Sequence, residues 1–109
     1  MASGTLGIGN PLASTWTTIY TVPGGQVATA NIRLTNLSTS TTSLVRVAIG
    51  NADGAPAGNG EYIEPLDYAM EGGEILEDSA IVIGPGGKVK VFSSTANIAV
   101  RVHGFEAAQ

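Results

Sequence analysis

The sequence predicts an all-β protein: a single-domain antiparallel β-sandwich of jelly-roll-like type, with about seven or eight strands. Three observations lead to this prediction. Short runs of apolar residues alternate with polar ones, and turns rich in glycine and proline close most of these runs. No stretch has the longer periodicity of an amphipathic helix. The length of 109 residues suits one domain with one hydrophobic core.

The first half of the chain is expected to hold an arm followed by three strands. Residues 1–15 have no apolar periodicity, and we expect an extended N-terminal arm outside a β-sandwich domain of residues 16–109. β-branched residues predict a strand at residues 17–22, which ends at a Pro-Gly-Gly turn. Alternation predicts two more strands, at residues 26–36 and 44–49.

The middle of the chain gives weaker signals. Glycine, proline, Asn and Asp predict a loop at residues 51–60. Residues 61–65 are expected to form a short edge strand, because Pro65 cannot donate a hydrogen bond to a central ladder. Residues 68–71 could begin a helical turn, but two glycines follow and would end it. A further strand is expected to begin at Glu74.

The C-terminal part is predicted to hold a hairpin and a final strand. Strands at residues 80–83 and 88–93 flank a Gly-Pro-Gly-Gly turn, and the last strand covers residues 97–105. Alternation assigns one face of each strand to the outside of the sandwich. The outward residues are Thr29, Asn31, Arg33 and Thr35, then Leu44, Arg46 and Ala48, then Lys88 and Lys90, and finally Ala99, Arg101 and His103.

Composition and charge exclude several classes of partner. The net charge is −4 and the five Lys and Arg residues are dispersed, so we expect no nucleic-acid partner. No apolar run could span a bilayer and the N-terminal segment lacks signal-peptide features, so we expect no membrane partner and synthesis without export. Charged residues make up only 13% of the chain, which favours a surface that partner proteins cover.

The sequence holds no recognisable catalytic constellation. A nucleophile triad needs a histidine, and the only one, His103, is expected on the outward face of the last strand. No Gly-x-Ser-x-Gly motif is present, and the glycine clusters at residues 23–25 and 84–87 lack the spacing of phosphate-binding loops. We therefore expect no enzyme activity, no catalytic residues and no cofactor.

Acidic residues crowd into residues 61–78, a segment without Lys or Arg. The spacing of a calcium loop is missing here and around Asp53, and the chain has no cysteine for a zinc-thiolate site, so we expect no metal. Two interpretations stay open, a solvated acidic edge and a surface that pairs with a basic partner. The carboxylates belong to Glu61, Glu64, Asp67, Glu71, Glu74, Glu77 and Asp78.

Scattered apolar and aromatic residues form the candidate protein interface. Apolar side chains in an extended arm can become ordered on a neighbouring subunit, and aromatic residues at irregular positions anchor many interfaces. Alternatively, the aromatic residues cover the open end of the sandwich. The candidate interface residues are Leu6, Ile8, Leu12, Trp16, Tyr62 and Tyr68.

Several segments, taken in order, resemble small virion proteins of tailed bacteriophages. In the first half these are IYTVPGG at residues 19–25, ANIRLTN at 30–36 and VRVAI at 45–49. In the second half they are YIE at residues 62–64, IGPGGKVKV at 83–91 and VRVHGFE at 100–106. The resemblance covers residues 17–106 and leaves the arm outside it.

This resemblance implies a non-enzymatic component of a phage particle. Within that group, capsid decoration (cement) proteins are commonly small β-sandwiches or jelly rolls, often trimers seated where capsomers meet. The chain would then be made in the cytoplasm of the bacterial host and would reside on the capsid surface of the virion. Its partners would be the major capsid protein, whose lattice it would bind and stabilise, and further copies of itself, with a homotrimer favoured.

Two other functions stay open on the sequence alone. Small β-domains of this kind also occur in phage tails, baseplates and fibres, and no motif separates these locations. A host-surface or glycan-binding module is the other alternative, because exposed aromatic residues and the polar loop at residues 51–60 would suit it.

Overall fold

The structure, a computed structural model, describes residues 2–109 and confirms the all-β sandwich. The chain forms eight strands and one short 3-10 turn. The strands are β1 (Ser3–Gly9), β2 (Thr17–Thr21), β3 (Gln26–Asn36), β4 (Ser43–Gly50), β5 (Tyr68–Met70), β6 (Ile75–Ile83), β7 (Lys88–Ser93) and β8 (Ile98–Ala108), and the turn is η1 (Asn59–Glu61).

The strands form two four-stranded antiparallel sheets. Sheet I has the order β1-β8-β3-β6, and sheet II has the order β2-β7-β4-β5. The pairs β1–β8, β2–β7, β3–β6 and β4–β5 are therefore nested in the chain, which is the strand arrangement of a jelly roll. The predicted fold class is confirmed.

The core lies between the two sheets and uses the inward residues of both. Fully burying one large aliphatic side chain contributes about 1.5–3 kcal/mol, so these short alternating strands can hold the sandwich together without disulfides. The buried core residues are Tyr20, Val22, Ala28, Ala30, Ile32, Leu34, Val45, Val47, Met70, Ile83, Val89, Val91, Ile98, Val100 and Val102.

The structure corrects the prediction of a separate arm. Ser3–Gly9 is strand β1 and pairs with β8 at the edge of sheet I. A register shift between Thr5 and Gly7 interrupts the alternation of this strand. Leu6 is the residue of β1 that packs against the core. The sequence therefore shows no apolar period here. Residues 10–16 then connect β1 to β2, with the Asn10 side-chain amide donating to the carbonyl of Ile98 at 2.6 Å.

Two further predictions fail at the other edge of the sandwich. Residues 61–65 do not form a strand: the chain makes the turn η1, and Tyr62 contributes a single bridge to Ala48. The edge strand of sheet II is instead β5, in a segment where the sequence predicted no strand and only the start of a helical turn that two glycines would end. β6 is one continuous strand with a bulge at Ala80, whose φ of +57° is held by its N–H donating to the Asn31 side chain at 2.9 Å.

Candidate interaction surface

The outer face of sheet I is an open sheet surface whose side chains lie in rows across the strands. In one row Arg33 of β3 lies between Glu77 of β6 and Arg101 of β8, and Ile8 of β1 follows. The predicted outward positions of β3 and β8 are confirmed by this register. Because side chains directly opposite each other in an antiparallel pair lie about 5 Å apart at Cβ, the two arginines are direct neighbours.

A shallow groove of about 430 Å³ surrounds this arginine pair. Its lining residues are Gly4, Thr5, Arg33, Arg101 and His103. The Arg101 guanidinium donates to the Thr5 hydroxyl at 2.6 Å, which fixes one side of the groove. The Nδ1 atom of His103 is buried and has no hydrogen-bond partner among residues 2–109. The groove therefore combines two cationic side chains with an unsatisfied imidazole nitrogen.

The basic residues of the two sheets differ in their partners. On sheet II, Arg46 contacts Asp67 at 2.7 Å, Lys88 contacts Asp53 at 3.9 Å, and Lys90 contacts Glu61 at 3.6 Å. Across the described part of the chain, no carboxylate lies within 4.0 Å of the charged atoms of Arg33 or Arg101. Within the described residues, the two arginines that face each other are thus the ones without an ion pair, although Glu77 lies opposite Arg33 on β6.

Exposed apolar side chains lie on the same face in two other rows, one next to the arginine row and one separated from it by the row of Asn31 and His103. In β-sheet register, Val82 and Phe105 lie on either side of Thr29, and they are 69% and 52% exposed. On the opposite side of the arginine row, Ile75 and Ala99 lie on either side of Thr35. Exposed apolar side chains on one face mark many protein-binding surfaces, in which arginine is also enriched.

The outer face of sheet II is covered by the chain itself. The Lys90 ammonium donates to the carbonyl of Ala52 at 2.9 Å, the Thr18 hydroxyl donates to Asp53 at 2.7 Å, and the Ile63 N–H donates to the carbonyl of Val47 at 3.0 Å. Residues 51–63, the covering loop, therefore cross this face and end beside β4, where Tyr62 bridges Ala48. They bury Lys90 and Ala48 completely, although both residues lie on the outward face that the sequence predicted for them.

Trp16 and Tyr62 come together on the covered side. Their ring centroids lie 6.0 Å apart, and the Trp16 ring lies 5.7 Å from the ring of Phe92. The Arg46 guanidinium stands 5.0 Å from the Phe92 centroid. These two candidate interface residues are half-buried against their own chain and help to hold the covering loop.

The other four candidate interface residues are spread over the molecule. Leu6 packs against the core, whereas Ile8 lies exposed on the outer face of sheet I and Leu12 lies exposed in the β1–β2 connection. Tyr68 is half-buried in β5, and its hydroxyl donates to Glu74 at 2.5 Å, which raises the pKa of the tyrosine. The six residues therefore do not form one patch.

Most of the acidic segment is engaged within the chain. Arg46 donates twice to Asp67, at 2.7 and 3.1 Å, and holds the pKa of this carboxyl below its usual value. The Tyr68 hydroxyl likewise lowers the pKa of Glu74. Within residues 2–109, no group of three or more acidic or histidine side chains is arranged to hold a metal ion. No helix in that range is long and apolar enough to cross a membrane.

Glu64 and Asp78 form a carboxyl pair at the edge between the two sheets. Asp78 occupies the inward face of β6, opposite Ile32, and its Oδ2 is buried. Burial, followed by the hydrogen bond to Asp78 and its charge, raises the pKa of Glu64 from 4.5 to about 7. Burial and the neighbouring charge of Asp78 both disfavour the carboxylate form, so the folded state favours protonated Glu64.

This pair predicts that the protein becomes less stable as the pH rises. The folded state holds the proton more tightly than the unfolded chain, so the stabilisation is present below pH 4.5 and is lost as the pH passes about 7. We expect the loss to be about 1 kcal/mol, because solvent partly screens the pair. Urea unfolding at several pH values measures it.

Glu64→Gln should remove this pH dependence and raise stability above neutral pH, because the amide carries no charge at any of these pH values. Glu71→Gln is the matched control, since Glu71 is an exposed carboxyl of the same segment. An unchanged pH dependence in Glu64→Gln would show that the pair is not its source.

Comparison with models of known protein families, with curated proteins and with solved structures finds no significant match. Sequence reasoning placed Arg33, Arg101 and His103 on outward faces but did not bring them together, because the register of β3 and β8 was unknown. It also missed Phe105 and Val82, although both continue the outward alternation of their strands.

Proposed function

We propose that the chain is a non-enzymatic virion structural protein, a capsid decoration (cement) protein that binds the lattice of the major capsid protein and stabilises the head. The observation that carries the proposal is the difference between the two outer faces. The face of sheet II is covered by the chain's own loop, whereas the face of sheet I exposes Phe105, Val82 and Ile8 around two unpaired arginines. Such a surface is suited to contact with another protein.

The fold and the resemblance to phage virion proteins add support of a different kind. Jelly rolls occur in viral capsid proteins and also in lectins and cupins, so this support is an analogy at the level of the fold. A decoration protein binds a repeated surface, and several copies joined in one oligomer, here proposed as a homotrimer, would bind the lattice more tightly than one copy.

In the experiment, purified protein is added to capsids that lack this protein, prepared from the phage that encodes it. Cryo-electron microscopy then determines the occupancy of the protein on the capsid. We expect saturable density on the capsid surface and a higher temperature of capsid disruption. Density on the tail would place the chain among tail components instead, and no density on the particle would overturn the proposal.

One matched pair of variants tests which face is used. Phe105→Asp places a charge on the open face of sheet I, and Leu44→Asp places one at a residue 40% exposed on sheet II. We expect Phe105→Asp to reduce occupancy at limiting protein by about tenfold or more, and Leu44→Asp to leave it unchanged. Equal effects of the two variants would argue against docking through sheet I.

A further inference from the structure

We propose that the Arg33–Arg101 pair is a binding site for carboxylate side chains of the partner protein, presented by an acidic segment with apolar residues beside it. The inference rests on the proposed function for the partner being a protein. It adds the chemistry by which that partner is recognised.

The first support is the cost of the pair itself. Like charges directly opposite each other in a sheet are destabilising, and these two arginines are register partners in the centre of sheet I. Glu77 is the register partner of Arg33 on β6, yet neither it nor any other of the nine Asp and Glu carboxylates lies within 4.0 Å of the charged atoms of Arg33 or Arg101. An acidic group from outside would neutralise both guanidinium groups at once.

The second support is the arrangement of donors in the groove. Each guanidinium presents a planar fork that matches a carboxylate, and Thr5 already orients one fork through its hydroxyl. His103 lies in the same groove, and its buried Nδ1 lacks a partner within residues 2–109. The site thus offers guanidinium donors on both central strands to an incoming acidic group.

The third support concerns the kind of molecule that carries the carboxylate. Phe105 and Val82 on one side and Ile75 on the other are exposed, so a ligand that bridges the groove also contacts apolar surface. A protein segment supplies both acidic and apolar side chains. A nucleic acid would meet a chain of net charge −4 with only two unpaired arginines, which disfavours it.

The test is an NMR titration of the isotope-labelled full chain with a capped synthetic peptide of glutamates flanked by leucines. The same peptide with glutamines is the neutral control, and inorganic phosphate and a short single-stranded DNA are the competing anions. We expect saturable shifts in β3 and β8 with the glutamate peptide alone. Arg33→Gln or Arg101→Gln should weaken binding about tenfold, whereas Lys88→Gln, which removes a charge from sheet II, should not.

Each of several results would overturn the inference. These are equal weakening by Lys88→Gln, equal binding of the glutamine peptide, stronger binding of phosphate or DNA, and self-association of the chain that depends on both arginines. The NMR spectrum of each variant reports at the same time whether it is folded.

Capsid occupancy separates this inference from the proposed function. If the wild type decorates capsids and the Arg33→Gln, Arg101→Gln double variant does so equally well, the carboxylate site is wrong and the decoration function stands. If the wild type does not bind capsids and yet binds the glutamate peptide through both arginines, the proposed function is wrong and the carboxylate site stands.

Discussion

Lys90→Ala is expected to lower the free energy of unfolding by about 4 kcal/mol, because Lys90 is fully buried on a central strand of sheet II. The substitution removes the aliphatic stem from a packed site and the ammonium that donates to the Ala52 carbonyl at 2.9 Å. It also leaves Glu61, whose carboxylate lies 3.6 Å from the ammonium, without its partner. The covering loop would lose one of its attachments to the sheet.

Two variants distinguish this mechanism from a general effect of losing a lysine. Lys88→Ala changes a partly exposed lysine of the same strand, and we expect a cost below about 1 kcal/mol. Glu61→Gln keeps the size of the side chain but removes the countercharge of a buried ammonium, and we expect a cost of about 2 kcal/mol. Chemical denaturation measures all three. A cost for Lys90→Ala no larger than that for Lys88→Ala would refute the role of Lys90.

Gly104→Ala is expected to destabilise the fold by about 3 kcal/mol or more. Gly104 lies in β8 opposite Ala30, with a φ of +152° that side chains rarely adopt. A Cβ at this position would collide with the backbone carbonyl of Thr29 in the adjacent strand. Relief of that collision requires β3 and β8, the two central strands of sheet I, to move apart.

Gly24→Ala is the matched control for this effect. Gly24 lies in the turn before β3, where an added Cβ would meet open space. We expect it to change stability by no more than about 0.5 kcal/mol in either direction. Thermal unfolding of both variants tests the contrast, and a Gly104→Ala protein as stable as Gly24→Ala would mean that β3 and β8 do not approach as described.

The sequence predicted β2 well from its β-branched residues, and the other well-predicted strands are those with clear alternation. β3, β4, β7 and β8 were placed to within a few residues, because each has its apolar residues on one face and polar residues on the other. β1 was missed because a register shift and three glycines obscure its single inward leucine. β5 has three residues, too few for a periodic signal.

The interaction surface could be predicted only in part, since it depends on pairing between distant strands. Three of the strand pairs contain register shifts, which no local pattern reveals. Alternation therefore placed Arg33 and Arg101 on the outward faces of two strands, 68 residues apart in the sequence. It could not show that they lie opposite each other. Burial of Lys90 was beyond reach for a similar reason, because the loop that covers it has no periodicity from which its position could be inferred.

The difference between the two outer faces also explains the division of charge in the chain. The covering loop and the acidic segment neutralise the basic residues of sheet II, with Asp53, Glu61 and Asp67 as partners. Sheet I keeps its two central arginines free of such pairs within the described residues. A chain with few charges thus concentrates unpaired positive charge on the face that is also its most exposed apolar surface.

Hydroxyl-radical footprinting of the free and particle-bound protein tests most directly the claim that the chain docks through the outer face of sheet I. Phe105 and His103 report on that face, and Trp16 and Tyr62 on the covered face serve as internal references. We predict that binding protects Phe105 and His103 several-fold and leaves Trp16 and Tyr62 unchanged. Protection of Trp16 and Tyr62 with no change at Phe105 would contradict the claim.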